Sequence, residues 1–348
     1  MTGTTHSGVE LDELRILIVV DNETDTLSSI DEGVPQVPEI AGHVGRVKSL
    51  PEFPQHEIKP VFDHLCCACH GFSALVTARQ GEREHTVLFD VGPYPDIWLQ
   101  NAKRLAVDLS RIERLFLSHW HWDHSGGIPE VVAAITAARI DAGIVEPLVV
   151  DLHPNRPDQR GILMPTGVMV ALPEEPTFEE IEAAGGRIEK HDQNHEICGS
   201  FFLGSGEIER MTPYETGLAG HHTIRGGEIE EDPLIMDERF LAARVRGRGT
   251  TVLSACSHAG VVNACLGAQA AFDRTDIDTV LGGYHLAGKE MEKRIPETVR
   301  DLEQRIQPRL VAPGHCSGWR AKAALGNAFA PGRYAPSVVG SMYLLQAI

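Results

Sequence analysis

Two features are not visible in this sequence: a long apolar run typical of a membrane span, and a secretory signal. Its longest apolar runs, such as residues 16–20 (ILIVV), are far shorter than the roughly 20 residues that span a bilayer. Residues 1–14 contain neither the basic segment nor the apolar segment of a secretory signal. We therefore expect a soluble, cytoplasmic protein that does not bind membranes.

Basic residues are also scarce. The 348 residues include 31 Lys and Arg against 49 Asp and Glu, which gives a net charge of −18. A surface this acidic repels a phosphate backbone, so nucleic acid is excluded as an expected partner. A small-molecule substrate is the partner that we expect, and assembly into a homo-oligomer stays open.

Cysteine is present in an odd number, seven, which argues against a disulfide framework. Three of the seven are crowded at 66–69 and are followed by His70. The spacing Cys66-x-x-Cys69-His70 is the haem c attachment pattern, but that attachment takes place outside the cytoplasm. A zinc ligand pair is a second interpretation. The third is that His70 begins a strand at the rim of a site, with small buried cysteines before it.

The densest group of metal-binding side chains lies at residues 118–127 (SHWHWDHSGG), between an apolar strand and a turn. Strand ends that open into loops are usual places for catalytic groups. In an extended segment, side chains two apart share a face, so His119, His121 and Asp123 are predicted to converge while His124 turns elsewhere. Imidazole suits zinc, and a carboxylate suits zinc or harder ions.

Three further histidines, His258, His285 and His315, follow predicted strands, and strand ends gather at one rim of a layered α/β domain. We predict that His258 completes a first metal site with His119 and His121. The adjacent pair His221–His222 is its rival for that role. His285 is the candidate for hydrogen bonding to the substrate or leaving group, and His153 is a second candidate.

Predicted strands and helices alternate in both halves of the chain. This pattern predicts an α/β fold, a four-layer αβ/βα sandwich of two sheets covered by helices. We expect one domain over 1–348, with loop insertions at 29–65 and 154–235 that set specificity. The predicted helices include 128–139, 174–184, 261–272 and 296–306, and the predicted strands include 14–20, 72–78, 148–152, 239–245 and 309–312.

Residues 118–127 resemble the signature of the metallo-β-lactamase fold superfamily. Within it, one branch is labelled as dihydropterin-ribofuranosyl-aminobenzene phosphate synthases or as metal-dependent hydrolases. The segments that resemble this branch are 20–22 (VDN), 70–73 (HGFS), 256–263 (CSHAGVVN), 282–286 (GGYHL) and 313–318 (PGHCSG).

The resemblance implies a ligand set. The first two histidines of the motif would bind one metal, while Asp123 and His124 would bind a second, with His315 as the final ligand. Where the superfamily has a bridging Asp, this chain has Cys256, so the second site is expected to be the weaker one. Asp90 would lie behind the metals and orient a ligand or its loop.

The sequence therefore predicts a hydrolase that uses metal-activated hydroxide on a small ester, lactone or phosphoester. One or two zinc ions are expected, with manganese and iron as alternatives, and Asp123 and His285 are the predicted catalytic residues. A ribose-phosphate-linked transferase or synthase is the alternative; its phosphate pocket could use Arg156, Arg160 or Arg210. A redox relative is a further alternative, but it normally carries a fused flavin domain, and none is evident.

Overall fold

The computed structural model describes residues 8–329 and 331–348. In chain order, its strands are β1 (Glu10–Leu11), β2 (Glu13–Val20), β3 (Gln36–Val37), β4 (Ser73–Gln80), β5 (Arg83–Phe89), β6 (Ile112–Phe116), β7 (Leu148–Leu152), β8 (Gln159–Leu163), β9 (Met169–Glu174), β10 (Gly186–Lys190), β11 (His195–Ile197), β12 (Phe202–Gly204), β13 (His221–Arg225), β14 (Glu228–Glu231), β15 (Leu241–Val245), β16 (Gly249–Ser254), β17 (Ile277–Gly283), β18 (Leu310–Gly314) and β19 (Met342–Gln346). Its helices are α1 (Glu39–Arg46), α2 (Pro95–Arg104), α3 (Trp122–Ser125), α4 (Ile128–Asp141), α5 (Phe178–Ala183), α6 (Val261–Ala271), α7 (Ile295–Asp301) and α8 (Trp319–Phe329).

Two large sheets form the centre of the molecule. The first has the order β10-β7-β6-β5-β4-β2-β19-β3, and the second has the order β11-β12-β15-β16-β17-β18 with β1 beside β15. Their facing sides share one apolar core, to which Ile18 and Phe89 contribute from the first sheet and Leu253 and Leu281 from the second. The core forms because each of these strands presents an apolar face to the opposite sheet.

Helices cover the outer face of each sheet. Trp98 of α2 and Val131 of α4 pack on the first sheet, while Val262 of α6 and Leu325 of α8 pack on the second. The predicted four-layer αβ/βα sandwich is confirmed. Within the described part of the chain, no helix has both the length and the apolar character needed to cross a membrane.

Residues 154–235, which the sequence predicts to be a loop insertion, contain regular structure. They supply a third sheet of order β14-β13-β8-β9, together with α5 and strands at the edges of the large sheets. The polar composition of this segment concealed its strands, which lie partly exposed. The third sheet matters for function because β13 begins with His221.

Residues 29–65, the other predicted loop insertion, also contain short elements of regular structure. Strand β3 pairs with β19, and α1 begins directly after Pro38. Gln36 donates from Nε2 to the carbonyl of Pro336, and Glu39 accepts a hydrogen bond from the backbone N–H of Cys66. These contacts attach the segment to the edge of the first sheet.

The helix predicted over 174–184 is shorter in the structure. Strand β9 continues to Glu174, and α5 begins only at Phe178. Thr177 caps it: its hydroxyl accepts from the backbone N–H of Glu180, whose carboxylate accepts from the backbone N–H of Thr177. Pro176 also disfavours a helical conformation in the residue before it.

Candidate metal centre

Three buried imidazole nitrogens meet at one point, and we call them the first group. His119 Nε2 lies 3.0 Å from His121 Nδ1, and His258 Nε2 lies 3.2 Å and 3.1 Å from those two atoms. Zn–N bonds of about 2.0–2.1 Å at tetrahedral angles place neighbouring nitrogens about 3.3–3.4 Å apart. The spacing of the first group therefore suits one zinc ion.

Hydrogen bonds determine which nitrogen of His119 faces this point. Ser118 donates its hydroxyl proton to Asp90 Oδ2 at 2.7 Å, so its oxygen accepts from Nδ1–H of His119 at 2.8 Å. The Nε2 atom of His119 consequently keeps its lone pair. Asp90 thus acts through Ser118 on a residue of the first group, which is the supporting position that the sequence suggested for it.

His121 is held in the same way by His221. Nδ1–H of His221 donates to the carbonyl of Asp232 at 2.6 Å, so its Nε2 accepts from Nε2–H of His121 at 2.9 Å. His222 instead donates from Nδ1 to the carbonyl of Gly220. Of the rival histidines, the structure brings His258 into the first group and makes His221 a support for His121.

The surroundings of the first group disfavour protonation of its histidines. Burial lowers the pKa of His119, His121 and His258 well below the ordinary value. Neighbouring histidines lower these pKa values further, and Arg160 adds to the effect at His121. Neutral imidazole is the form that binds a metal.

Asp123, His124 and His315 form a second group beside the first. Asp123 Oδ2 lies 3.3 Å from Nε2 of His315 and 3.6 Å from Nε2 of His124. Nδ1–H of His124 donates to Asp90, and Nδ1–H of His315 donates to Asn22. Among the described residues, both Nε2 atoms are buried without a hydrogen-bond partner. Two orphaned nitrogens beside a carboxylate suit a cation.

Residues Trp122–Ser125 form the helical turn α3 rather than the extended segment assumed from the sequence. Asp123 makes its close contacts with His124 and His315 of the second group. The pairing of Asp123 with His124 that the family resemblance implies agrees with this geometry.

The charges of the second group are coupled. Burial opposes ionisation of Asp123, but His124, His315 and His70 outweigh it and hold the pKa of Asp123 well below the ordinary value. Burial likewise opposes a charge on His124, but Asp123 and Asp90 raise its pKa to about 9. A proton and a metal ion therefore compete for His124, unlike the histidines of the first group.

Cys256 lies between the two groups. Its Sγ is within 4.8 Å of the donor atoms of His119 and His258, and also of those of His124 and His315. This is the place where the family resemblance expects a bridging Asp, and a thiolate can also bind zinc.

His70 lies at the rim of the second group. Its Nε2 is 3.3 Å from Asp123 Oδ2, and 69% of its side chain is exposed. The cysteines before it make other contacts: the backbone N–H of Cys66 donates to Glu39, and the thiol of Cys67 donates to Gln100. The position of His70 at the rim agrees with the third interpretation of the Cys-x-x-Cys-His segment, but β4 begins only at Ser73, and Cys67 and Cys69 are only half-buried.

Two fully buried arginines hold the loop that carries the motif. Arg160 donates from Nε to the carbonyl of Trp120 and from Nη2 to Asp237. Arg239 donates from Nη2 to the carbonyl of Leu117 at 2.6 Å. With its guanidinium used in this way, Arg160 does not belong to a phosphate pocket.

Sequence reasoning missed the supporting roles of Asp237, Glu238 and Arg239. Glu238 accepts from the backbone N–H groups of His258 and Ala259 at 2.7 Å and 2.6 Å, and so orients the loop of His258. The sequence does contain a signal for these roles, because three consecutive charged residues stand shortly before the apolar strand β15. Charged residues in such a position are rarely buried unless they are paired.

The two histidines proposed for substrate contact differ in position. The ring of His285 lies 4.3 Å from that of His258, at the edge of the first group. His153 instead accepts from Trp120 Nε1 through its carbonyl and from the backbone N–H of Asn155 through Nδ1. Burial lowers the pKa of His153 to about 4. These contacts assign His153 to the support of Trp120.

A cleft of about 560 Å³ opens beside the second group. His315 lines it together with Asn22, Leu286 and Trp319. Its volume lies in the range of small-molecule sites.

The fold is an αβ/βα sandwich, and its histidine-rich centre lies at the ends of the strands. The sequence profile of the metallo-beta-lactamase superfamily matches residues 68–208. The chain is therefore similar to this superfamily over that range. The matched range includes the motif histidines, whereas Cys256, His258, His285 and His315 lie beyond it.

Two proteins of Methanocaldococcus jannaschii are similar in sequence. One is 7,8-dihydropterin-6-methyl-4-(beta-D-ribofuranosyl)-aminobenzene-5'-phosphate synthase, 26% identical over 282 residues that cover 80% of this chain and 92% of the synthase. The other is an uncharacterized protein, 25% identical over 262 residues that cover 75% of this chain and 88% of the relative.

Solved structures share the fold at low identity. Tm1679, a metal-dependent hydrolase of the beta-lactamase superfamily, matches with a TM-score of 0.66 and 21% identity over 96% of this chain and 99% of its own. The metallo-beta-lactamase fold protein YhfI from Bacillus subtilis matches with a TM-score of 0.51 and 10% identity over 96% and 100%.

Proposed function

We propose that this protein is a zinc-dependent hydrolase of a small-molecule ester, lactone or phosphoester. The main support for this proposal is the geometry of the first group. The hydrogen bonds of His119 and His121 direct a lone pair from each ring to one buried point. A single proton on His258 Nε2 could satisfy only one of these two atoms, whereas a shared cation satisfies all three nitrogens.

A zinc ion held there supplies Lewis acidity, which lowers the pKa of water to about 7 and polarises a carbonyl or phosphoryl group. Asp123 stays ionised beside this point and would orient the attacking water or hold a second ion. His285 has its Nδ1 toward Cys256, so we assign its Nε2–H as donor to the leaving group.

The nearby hydroxyls are engaged elsewhere, which supports direct attack by water. Ser118 donates to Asp90, and the hydroxyl of Ser125 lies in hydrogen-bond contact with the carbonyl of His121 and with the carboxyl group of Glu175. Neither serine is therefore assigned as a nucleophile.

The test is turnover of a panel of lactones, esters and phosphodiesters in oxygen-18 water. We expect solvent label in the product from the first turnover, and none with the His119→Ala/His121→Ala variant. Label retained on the protein, or an acylated or phosphorylated side chain trapped by mass spectrometry, would overturn the mechanism.

A synthase acting on a ribose-phosphate substrate is the second candidate, favoured by the 26% identity to the archaeal synthase. Such a reaction would put no solvent oxygen into the product, so the same experiment separates the two. The arginines suggested for a phosphate pocket do not support it. Arg156 donates to the carbonyls of Glu175 and Pro176, and Arg210 donates to that of Ile208.

A further inference from the structure

A cluster that contains two thiols lies at the edge of the first group. We propose that Cys256, His285 and Cys316 form a separate metal site for zinc or another thiophilic d¹⁰ ion. Their donor atoms all lie within 4.8 Å of one another. The two sulfur atoms are 3.3 Å apart, and Cys256 Sγ is 3.9 Å from Nδ1 of His285.

The three residues come from neighbouring strands. Cys256 follows β16, His285 follows β17 and Cys316 follows β18, and these strands are parallel and adjacent. Their carboxyl ends therefore lie at one edge of the sheet. Adjacent strands are about 4.8 Å apart, so Cys256 and Cys316 can meet only by reaching across β17.

A glycine makes this meeting sterically feasible. A Cβ atom on Gly283, in β17, would lie 2.6 Å from the sulfur of Cys316 and 2.4 Å from the carbonyl oxygen of Ala255. The missing side chain leaves the space in which the thiol of Cys316 reaches Cys256. His285 has a φ of 44°, a left-handed conformation that is uncommon for non-glycine residues and concentrates at functional sites.

The chemical type of the ligand atoms determines which metal ions this site favours. Thiolates favour zinc, cadmium and copper(I) over magnesium or manganese. Three protein ligands with a fourth position left open is also the usual ligand count of a catalytic zinc site. The sulfur separation is about 0.5 Å shorter than that of two sulfurs on one tetrahedral zinc ion, a difference that small side-chain rotations can supply.

Cadmium is the probe for this site, because bound thiolates give a sulfur-to-cadmium absorption band in the ultraviolet. We expect the intact, reduced chain to show a two-thiolate band on titration with Cd²⁺. Cys316→Ser should halve the band, and Cys256→Ser/Cys316→Ser should remove it. Cys198→Ser is the matched control, since this half-exposed thiol lies between β11 and β12 at the far edge of the same sheet.

Two more variants complete the test. Gly283→Ala keeps both thiols but blocks the approach of Cys316, so the band should fall to the one-thiolate level. His119→Ala/His121→Ala should keep the full band, because the site is separate from the first group. No substrate is turned over, so this test stands apart from that of the hydrolase.

Three outcomes would overturn the proposal. A full band in Cys316→Ser would show that this thiol is not a ligand. Loss of the band in His119→Ala/His121→Ala would show that Cys256 serves the first group only. A disulfide between Cys256 and Cys316 in chain purified under reducing conditions would identify a redox pair instead.

Discussion

The first and second ligand groups lie side by side, but their chemistry differs. The first group contains imidazoles alone, and burial keeps them neutral. The second group combines a carboxylate with two imidazoles, and its charges depend on one another. Asp123 is held ionised, while the pKa of His124 is raised to about 9.

This difference shows how one loop can produce two unlike sites. His121 and Asp123 are only two residues apart, but the helical turn α3 begins between them, and Asp123 makes its close contacts with His124 and His315. Neutral nitrogens bind zinc without displacing a proton, whereas the second group must lose one first. We therefore expect tight binding of one ion by the first group and weaker binding by the second.

The largest effect should follow removal of the first group. His119→Ala/His121→Ala should remove one zinc ion per chain and lower hydrolysis more than about a hundredfold, beyond the 10- to 100-fold effect of losing a supporting residue. His124→Ala/His315→Ala should leave the first ion in place. Elemental analysis measures the zinc content of both variants. Full zinc content in His119→Ala/His121→Ala would mean that the zinc site lies elsewhere.

The support of His121 should have the next largest effect. His221→Ala removes the acceptor that orients His121 and should weaken zinc binding about 10- to 100-fold. His222→Ala is the control, because His222 hydrogen-bonds Gly220 rather than His121. Competition with a chelating dye measures both affinities. Similar losses in the two variants would contradict the assignment of His221.

Changing Cys256 should make the two groups more alike. Cys256→Asp places a carboxylate between them, so the second group should bind Mn²⁺ about tenfold more tightly, because a carboxylate is a harder ligand than a thiolate. Calorimetric titration of the variant measures the change, with Cys256→Ser as the control. An equal gain in both variants would mean that loss of the thiol, rather than the new carboxylate, is responsible.

The smallest effect concerns the stability of the turn that carries the second group. Ser125 of α3 donates to buried Glu175, and burial raises the pKa of Glu175 to about 7. The pKa of Glu175 is higher in the folded chain than in the unfolded chain, where it is about 4.5. Glu175 therefore stabilises the fold below about pH 4.5, and that contribution is lost as the pH rises through 7. Between pH 5 and 6 the loss should be about 1 kcal/mol.

Denaturant unfolding across this pH range tests the effect. Glu175→Gln should remove this part of the pH dependence, and Glu174→Gln, at an exposed neighbouring position, should leave it unchanged. An unchanged slope in Glu175→Gln would show that the carboxyl group is not protonated in the folded chain.

Much of the fold was visible in the sequence because local patterns report burial and backbone period. Strand β7 and most of α4 and α6 follow directly from their apolar patterns. The third sheet was not visible, because its strands are short and partly exposed. Helix α5 begins late because Thr177 and Glu180 cap it, a signal that the apolar pattern does not contain.

The sequence by itself determined the metal-binding chemistry, since His119, His121, Asp123 and His124 stand together in one short segment. Which donor atoms lie together was decided only by the tertiary structure. Asp123 lies against His124 and His315, and Cys256 meets Cys316 across Gly283, 60 residues apart in the chain. The physical reason is that local patterns encode burial and period, whereas sheet order and turn geometry bring distant side chains together.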